Sequence, residues 1–450
     1  MRAGALPALA RLVEEGTLHT ITSAFPSVTG PAYVPFLMGR HPGSVGLPGL
    51  RWFDRARNAT AWPAHARSYV GAEMRRVDRD LAADAPTMFE LASPSLGALS
   101  VIQRGLAPRA RIGRGAGFVL RTAATHFRGD VGGWLAIDRA IAGEVAQRVR
   151  DEQPRFTFAA LTGIDKTSHS GGHDSAESLE AMRIVDELVA RLRDDAERDG
   201  RWETMQLWVV SDHGHSTVRE HDDLATVVAS LGFRVLAHPR VFTRSPDVAV
   251  MVSGNAMAHL YVDLARRERP FWQALAPRWR ELVDAIVTRP SGDLAILPTS
   301  ATSCDIRGRG RGVARLCTDG SADGVRYTYH PVTGDPLGIG ELHALDADDA
   351  YDATIGSDYP DALVQIARLV ACARSGDIIL SAAREWDLRG RYEPIPHRST
   401  HGALHRDHML VPLITNRPVR GTPRRTVDVM ASACDVLGVR AAGVEGTSFA

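Results

Sequence analysis

The chain predicts an α/β fold with a mostly parallel sheet flanked by helices. Three short apolar runs, at 98–102, 156–161 and 207–210, have the length of buried strands and are bounded by polar or turn residues. Helical patterns cover 134–149, 176–196 and 359–373, and strands that alternate with helices pair in parallel through crossovers. Polar clusters follow two of the strands, where ligands bind in such sheets: Thr-Gly-Ile-Asp after Leu161 and Ser-Asp-His-Gly after Val210.

The elements follow in order. Leu6, Leu9, Leu12 and Val13 recur at helical spacing, with Gly16 as a stop. An extended piece over 18–25 leads to a turn at 26–30. Residues 32–38 are apolar enough for a buried helix despite Pro35. Residues 378–380 read as a fourth strand. The stretch 233–345 has a different texture, with a strand at 258–263, a helix over Trp272–Val287, a Gly/Arg-rich turn at 308–312 and a strand at 325–329. It reads as an inserted cap, which leaves 1–232 and 346–450 as the catalytic core.

Composition narrows the function. The 450 residues carry 53 basic and 53 acidic side chains, so net charge gives no reason to expect nucleic acid as a bulk partner. Arg307, Arg309 and Arg311 form a short run that reads as a solvated loop. The 4 cysteines are scattered without a CxxC pair, which is neither a disulfide framework nor a zinc finger. A bridge between Cys304 and Cys317 stays open. No stretch approaches a membrane span and no basic-then-apolar leader opens the sequence, so as it stands it reads as cytoplasmic.

Four clusters carry chemistry. Asp165 and His169 stand four apart after a strand, so one helical turn aims both at a single ion; surface or capping duty is the bland alternative. Asp212 and His213 lie in Ser211-Asp-His-Gly-His215, where Gly214 permits the turn that adjacent side chains need to converge. The segment 397–408 holds His397, His401, His405 and His408, and one of these is a good ligand candidate. Thr29, followed by Gly30 and Pro31 before a helix, suits a nucleophile, although Ser27 or Thr29 as an ordinary helix cap fits equally. Together, Asp and His sets with a placed hydroxyl match two divalent ions serving phosphoryl transfer.

The phrase Phe-Pro-Ser-Val-Thr-Gly…Leu-Met-Gly-Arg-His-Pro resembles the nucleophile segment of the type I phosphodiesterase/nucleotide pyrophosphatase family, in the alkaline phosphatase superfamily. In that family the threonine stands nine residues before a Thr-Gly pair. Met38-Gly39 occupies the place of that pair and designates Thr29, not Ser27. Asp165 and His169 match the family's Asp-x-x-x-His, Asp212 and His213 its Ser-Asp-His-Gly, and His401 its Thr-His-Gly, in the same order along the chain. The resemblance spans 6–230 and 359 to the end. It implies an alkaline-phosphatase-like core and two divalent ions, zinc with manganese as the alternative. Asp165, His169 and His401 would hold one ion; Asp212, His213 and the Thr29 oxygen would hold the second. It also implies a phospho-threonine intermediate that water hydrolyses.

Three departures stand out. The family's first strand, which delivers an aspartate to the second ion, has no counterpart, and 6–15 already match the helix that follows it. An upstream extension of the reading frame is the expectation. Leu50 stands where the family's nucleotidases place a phosphate-binding Asn, and Gly30 where they place a base-stacking Phe, so a nucleotide is not the expected substrate. Gly30 and Arg51 are the substrate-contact candidates, with Trp52, Phe53 and Asp54 lining the pocket or filling the core. The expected substrate is a small-molecule phosphate ester, most readily a diester. Phosphomonoesterase or phosphonate hydrolase activity, transfer to an alcohol, and a degenerate member that binds without turnover are the alternatives.

Overall fold

The computed structural model describes residues 4–57, 66–239, 242–321, 324–390 and 396–450. The first helix, Pro7–Glu15, buries Leu9 and Leu12 with Val189, Ala196 and Trp202. Its Leu9 N–H donates to Asp186 Oδ1 at 2.8 Å, which satisfies one of the open donors of the first turn. Gly16 follows because no side chain fits there: a Cβ would lie 1.8 Å from the Thr415 carbonyl oxygen.

Strand Thr17–Thr22 pairs antiparallel with Leu410–Thr415, which pairs antiparallel with Trp208–Val210. A second sheet has Ser95–Ala98 at its centre, parallel to Arg111–Ile112 and to Phe156–Ala159. The helices Val131–Glu152, Gly163–Gly171 and Ala176–Arg198 pack on one another beside these strands. The expected strand at 98–102 lies three residues earlier, because Leu99 adopts φ 49°, a left-handed conformation that ends the extended run.

The α/β class stands, while the pairing differs from the mostly parallel expectation. Nine strands form one sheet in the order Val235–Ala237, Val248–Ser253, Met257–Tyr261, Ile378–Ala382, Gly292–Pro298, Ser303–Gly308, Gly312–Ser321, Gly324–Pro331, Leu342–Leu345. All its ladders but the first are antiparallel. Short turns join several of these strands, and a short turn can only reverse the chain. Parallel pairing needs a long crossover, as between Ser95–Ala98 and Phe156–Ala159, where two helices intervene. Ile378–Ala382 sits inside this sheet, so its strands come from beyond 233–345 as well as from within.

Trp52 and Phe53 are buried in the main apolar core. Cys304 and Cys317 lie on neighbouring strands, and all four cysteines, with Cys372 and Cys434, are free thiols. Among the described residues no helix is long and apolar enough to cross a membrane. Arg307 pairs with Asp284, and Arg311 with Asp293 at 2.7 Å and the Tyr359 hydroxyl at 2.8 Å, so these two arginines are tied into the fold.

Candidate active site

From Ile21 to Gly39 every residue is buried except Thr29, which is half-buried. The chain therefore presents one hydroxyl there. Gly30 takes φ 98°, which favours glycine, and Pro31 then opens a single turn that continues into Val34–Met38. Ser27, the competing hydroxyl, is fully buried and donates to the Ala403 carbonyl at 3.1 Å. Thr29 Oγ1 lies 3.2 Å from His213 Nε2, and its hydroxyl also bonds the Asp212 carboxylate.

Asp165 and His169 occupy the same face of Gly163–Gly171, one turn apart. The start of that helix is fixed by Asp138, whose carboxylate accepts from Gly163 N at 2.6 Å and Thr162 N at 3.1 Å. Burial pushes the Asp138 carboxyl up to about 6, against the two backbone donors. A Cβ on Gly163 would meet Asp138 Oδ2 at 2.6 Å, so this capping contact requires glycine.

Asp212 and His213 leave the strand Trp208–Val210 at a turn held by Gly214. Its N–H donates to the His408 carbonyl at 2.9 Å, and a Cβ there would lie 2.1 Å from the Asp407 carbonyl oxygen. Close approach of two backbones, rather than a left-handed φ, is what calls for glycine. His401 follows the short strand Ser399–Thr400, which pairs antiparallel with Ser216–His221. Its loop rests on Gly254, and the Ala256 N–H donates to the His401 carbonyl at 3.1 Å.

These segments bring Asp165, His169, His215 and His401 together, with one donor atom of each within 4.8 Å of the others. His169 Nε2 is 3.3 Å and His401 Nε2 3.4 Å from Asp165 Oδ1. Their Nδ1 atoms lie 2.8 and 2.9 Å from the carbonyl oxygens of Ser399 and Ser27. A carbonyl oxygen only accepts, so Nδ1 carries the proton and, in the neutral rings, Nε2 lone pairs face the carboxylate. A cation at their meeting point removes that repulsion. A tetrahedral ion with bonds of about 2.0–2.1 Å has donor–donor edges of about 3.3 Å, which the two carboxylate–imidazole separations match. The donor set thus fits a divalent ion.

Charge adds to the case. Burial works to raise Asp165, but Lys166 and His169 outweigh it and hold the carboxyl well below the usual range. Asp212 is raised, first by burial and then by the negative charge of Asp165. Burial keeps His401 well below the usual imidazole value and lowers His215 to about 3, so both are neutral, the form that ligates metals. His213 stacks on His401 with centroids 3.7 Å apart and planes at 8°, joining the Thr29 group to the Asp165 group.

The model of the family "Type I phosphodiesterase / nucleotide pyrophosphatase" matches residues 1–293. The chain belongs to this family. Membership makes it a phosphoric ester hydrolase by class. The fold agrees with solved structures. Phosphonoacetate hydrolase from Sinorhizobium meliloti 1021, in complex with phosphonoacetate, is 15% identical, covering 97% of this chain and 91% of that one at TM-score 0.55. Murine ectonucleotide pyrophosphatase/phosphodiesterase 5, as an inactive variant with AMP, is 12% identical, covering 98% and 92% at TM-score 0.57. A search of curated protein sequences gave no significant match.

The other sequence candidates divide. In this family member Gly30 adjoins Thr29, and a Cβ on it would lie 3.6 Å from Leu50 Cδ1. Arg51 is buried and donates to the Val252 carbonyl at 3.3 Å. Trp52 donates through its indole N–H to the Tyr69 hydroxyl at 3.0 Å, and Phe53 packs on Tyr261, which gives both a core role. Of the four C-terminal histidines, His401 joins the cluster. His408 is buried, bonded to Ser216 and to the Ala403 N–H. His397 lies 4.8 Å from the His169 ring, its Nδ1 3.4 Å from the buried Asp387. Sequence reading passed over Asp138, Ser399 and His215. His215 alone left a signal, as the second histidine of His-Gly-His.

Proposed function

We propose that the chain hydrolyses phosphodiester or pyrophosphate bonds in a metal-dependent reaction with Thr29 as nucleophile. The observation that carries this reading is the convergence of Asp165, His169 and His401 on one point, beside a lone accessible hydroxyl that bonds Asp212 and His213. Asp165, His169 and His401 would hold a first divalent ion; Asp212, His213 and Thr29 would hold a second. Zinc fits the nitrogen-rich donor set, with manganese the alternative. Such ions lower the pKa of the hydroxyl and neutralise charge on the phosphoryl oxygens.

The chain's own residues supply the rest. Asp212 and His213 fix the direction of Thr29 Oγ1. Oγ1 attacks phosphorus, the bond to the leaving oxygen breaks, and that oxygen takes a proton. The phosphoryl group then sits on Thr29 until water attacks phosphorus and the Thr29 oxygen leaves. Leu50 beside Gly30 makes an apolar wall where a nucleotide phosphate ligand would be needed, so a diester with a small or non-nucleotide leaving group is favoured.

Phosphonate hydrolysis is the second reading, favoured by the likeness to a phosphonoacetate hydrolase over 97% of the chain. Assay of the purified protein separates the two. Bis-p-nitrophenyl phosphate should be cleaved faster than p-nitrophenyl phosphate or phosphonoacetate, and chelation should abolish all cleavage. Preference for phosphonoacetate selects the second reading, and undiminished cleavage after exhaustive chelation contradicts both.

A further inference from the structure

We propose that His215 is a fourth protein ligand of the first ion, closing that site around Asp165, His169 and His401. The inference rests on the metal reading above and goes beyond it, because neither the Asp-x-x-x-His pair nor His401 requires a fourth donor from the chain.

Backbone register supplies the first argument. Strand Ser399–Thr400 pairs with Ser216–His221 so that Ser399 faces Thr217 and Thr400 faces Ser216. One further step of the same antiparallel ladder sets His401 opposite His215. Directly opposed residues hold their Cβ atoms about 5 Å apart on one face, and the two rings indeed stand 5.0 Å apart. The ladder that delivers His401 to the ion therefore delivers His215 with it.

The donor atoms supply the second. His215 Nε2 is 3.1 Å from Asp165 Oδ1, the shortest of the three imidazole separations from that oxygen. Its other nitrogen, Nδ1, is 2.8 Å from the Ser399 hydroxyl oxygen. Ser399 is fully buried and thus orients two rings, His169 through its carbonyl and His215 through its hydroxyl. When Ser399 Oγ accepts, Nδ1 holds the proton and Nε2 offers its lone pair to the same point as the other two histidines. This is the outer-shell arrangement that fixes a ligand imidazole.

The two ion sites then differ in kind. With His215 the first ion would have four protein donors, one carboxylate and three imidazoles, the number that holds a zinc-like ion tightly. Asp212, His213 and Thr29 would offer the second ion one donor fewer.

The test uses cobalt(II) as a spectroscopic probe in the full chain. An Asp212→Asn/His213→Ala variant confines binding to the first site. It should bind one equivalent with the strong visible absorption of a four-coordinate ion. Adding His215→Met, which fills the space without an imidazole, should weaken that absorption several-fold and raise the Kd by at least about tenfold, the loss that removal of an outer-shell partner already causes. His215→Gln, with circular dichroism to confirm the fold, should do the same. Unchanged absorption and Kd in both His215 variants, with one cobalt still bound, would overturn the fourth-ligand inference and leave the metal reading intact. Failure of the unsubstituted protein to bind any cobalt or zinc would overturn the metal reading itself.

Discussion

Thr29 Oγ1 lies 3.2 Å from His213 Nε2, and the same His213 ring stacks on His401 at 3.7 Å. Two residues near opposite ends of the sequence are thereby joined through one imidazole. Thr29→Ala should lower turnover of a diester by about a thousandfold or more, because the attacking oxygen is gone. Thr29→Ser should retain measurable activity. Steady-state kinetics with bis-p-nitrophenyl phosphate checks both, and an active Thr29→Ala protein rules Thr29 out.

Ser27→Ala should behave differently. Its hydroxyl donates to the Ala403 carbonyl in a buried place, so its loss costs about 1–2 kcal/mol of stability and leaves kcat near the original value. Urea unfolding and kinetics on the same sample separate the two effects. Lost turnover with unchanged stability would assign Ser27, not Thr29, to the chemistry.

Gly214→Ala should disturb the site without touching a ligand. The new Cβ would lie 2.1 Å from the Asp407 carbonyl oxygen, so the 211–215 turn must move away from 407–408. Asp212 and His213 move with it, and the protein should bind less metal. Elemental analysis by mass spectrometry measures this; full metal content in a folded variant would show that the turn has room to spare.

The segment behind the nucleophile helix is pinned by Glu445. Its carboxylate accepts from His41 N at 2.7 Å and Ser44 Oγ at 2.8 Å, and lies 3.2 Å from Arg368. Burial acts to raise its pKa, but His41 and Arg368 outweigh it and bring it from an ordinary 4.5 down to about 2. The folded value is the lower one, so the ionised group stabilises above pH 4.5, and that stability is lost as pH falls towards 2. Glu445→Gln should cost of the order of 2–3 kcal/mol at pH 7 and clearly less at pH 3. Urea midpoints at the two pH values decide; an equal difference at both would mean that ionisation of Glu445 does not matter.

Much of the site was legible because its residues sit in short contiguous motifs. Asp165 and His169 stand one helical turn apart and Thr29 stands before Gly-Pro, patterns that are weak singly and gain force only together and through the family resemblance. The helix Trp272–Val287 was fully readable from its apolar period. Less visible was what depends on partners distant in sequence. Asp138 caps a helix that starts 25 residues later, and Ser399 orients histidines some 184 and 230 positions away. Arg51 is a substrate-contact candidate by its place next to Leu50, after the nucleophile helix, and its bond to the Val252 carbonyl depends on a partner some two hundred residues away. The antiparallel character of the large sheet was hidden because strand direction depends on partner choice, which apolar runs do not encode.

The central claim is that Thr29 carries the phosphoryl group during turnover. Rapid acid quenching of the zinc-loaded protein with bis-p-nitrophenyl phosphate, followed by peptide mass spectrometry, tests it most directly. Attack by Thr29 Oγ1 expels one p-nitrophenolate and leaves p-nitrophenyl phosphate esterified to the threonine. The account predicts that adduct on the peptide containing Thr29, absent after chelation and absent in Thr29→Ala. An adduct on another residue, or full turnover with no adduct at any quench time and an active Thr29→Ala protein, would contradict it.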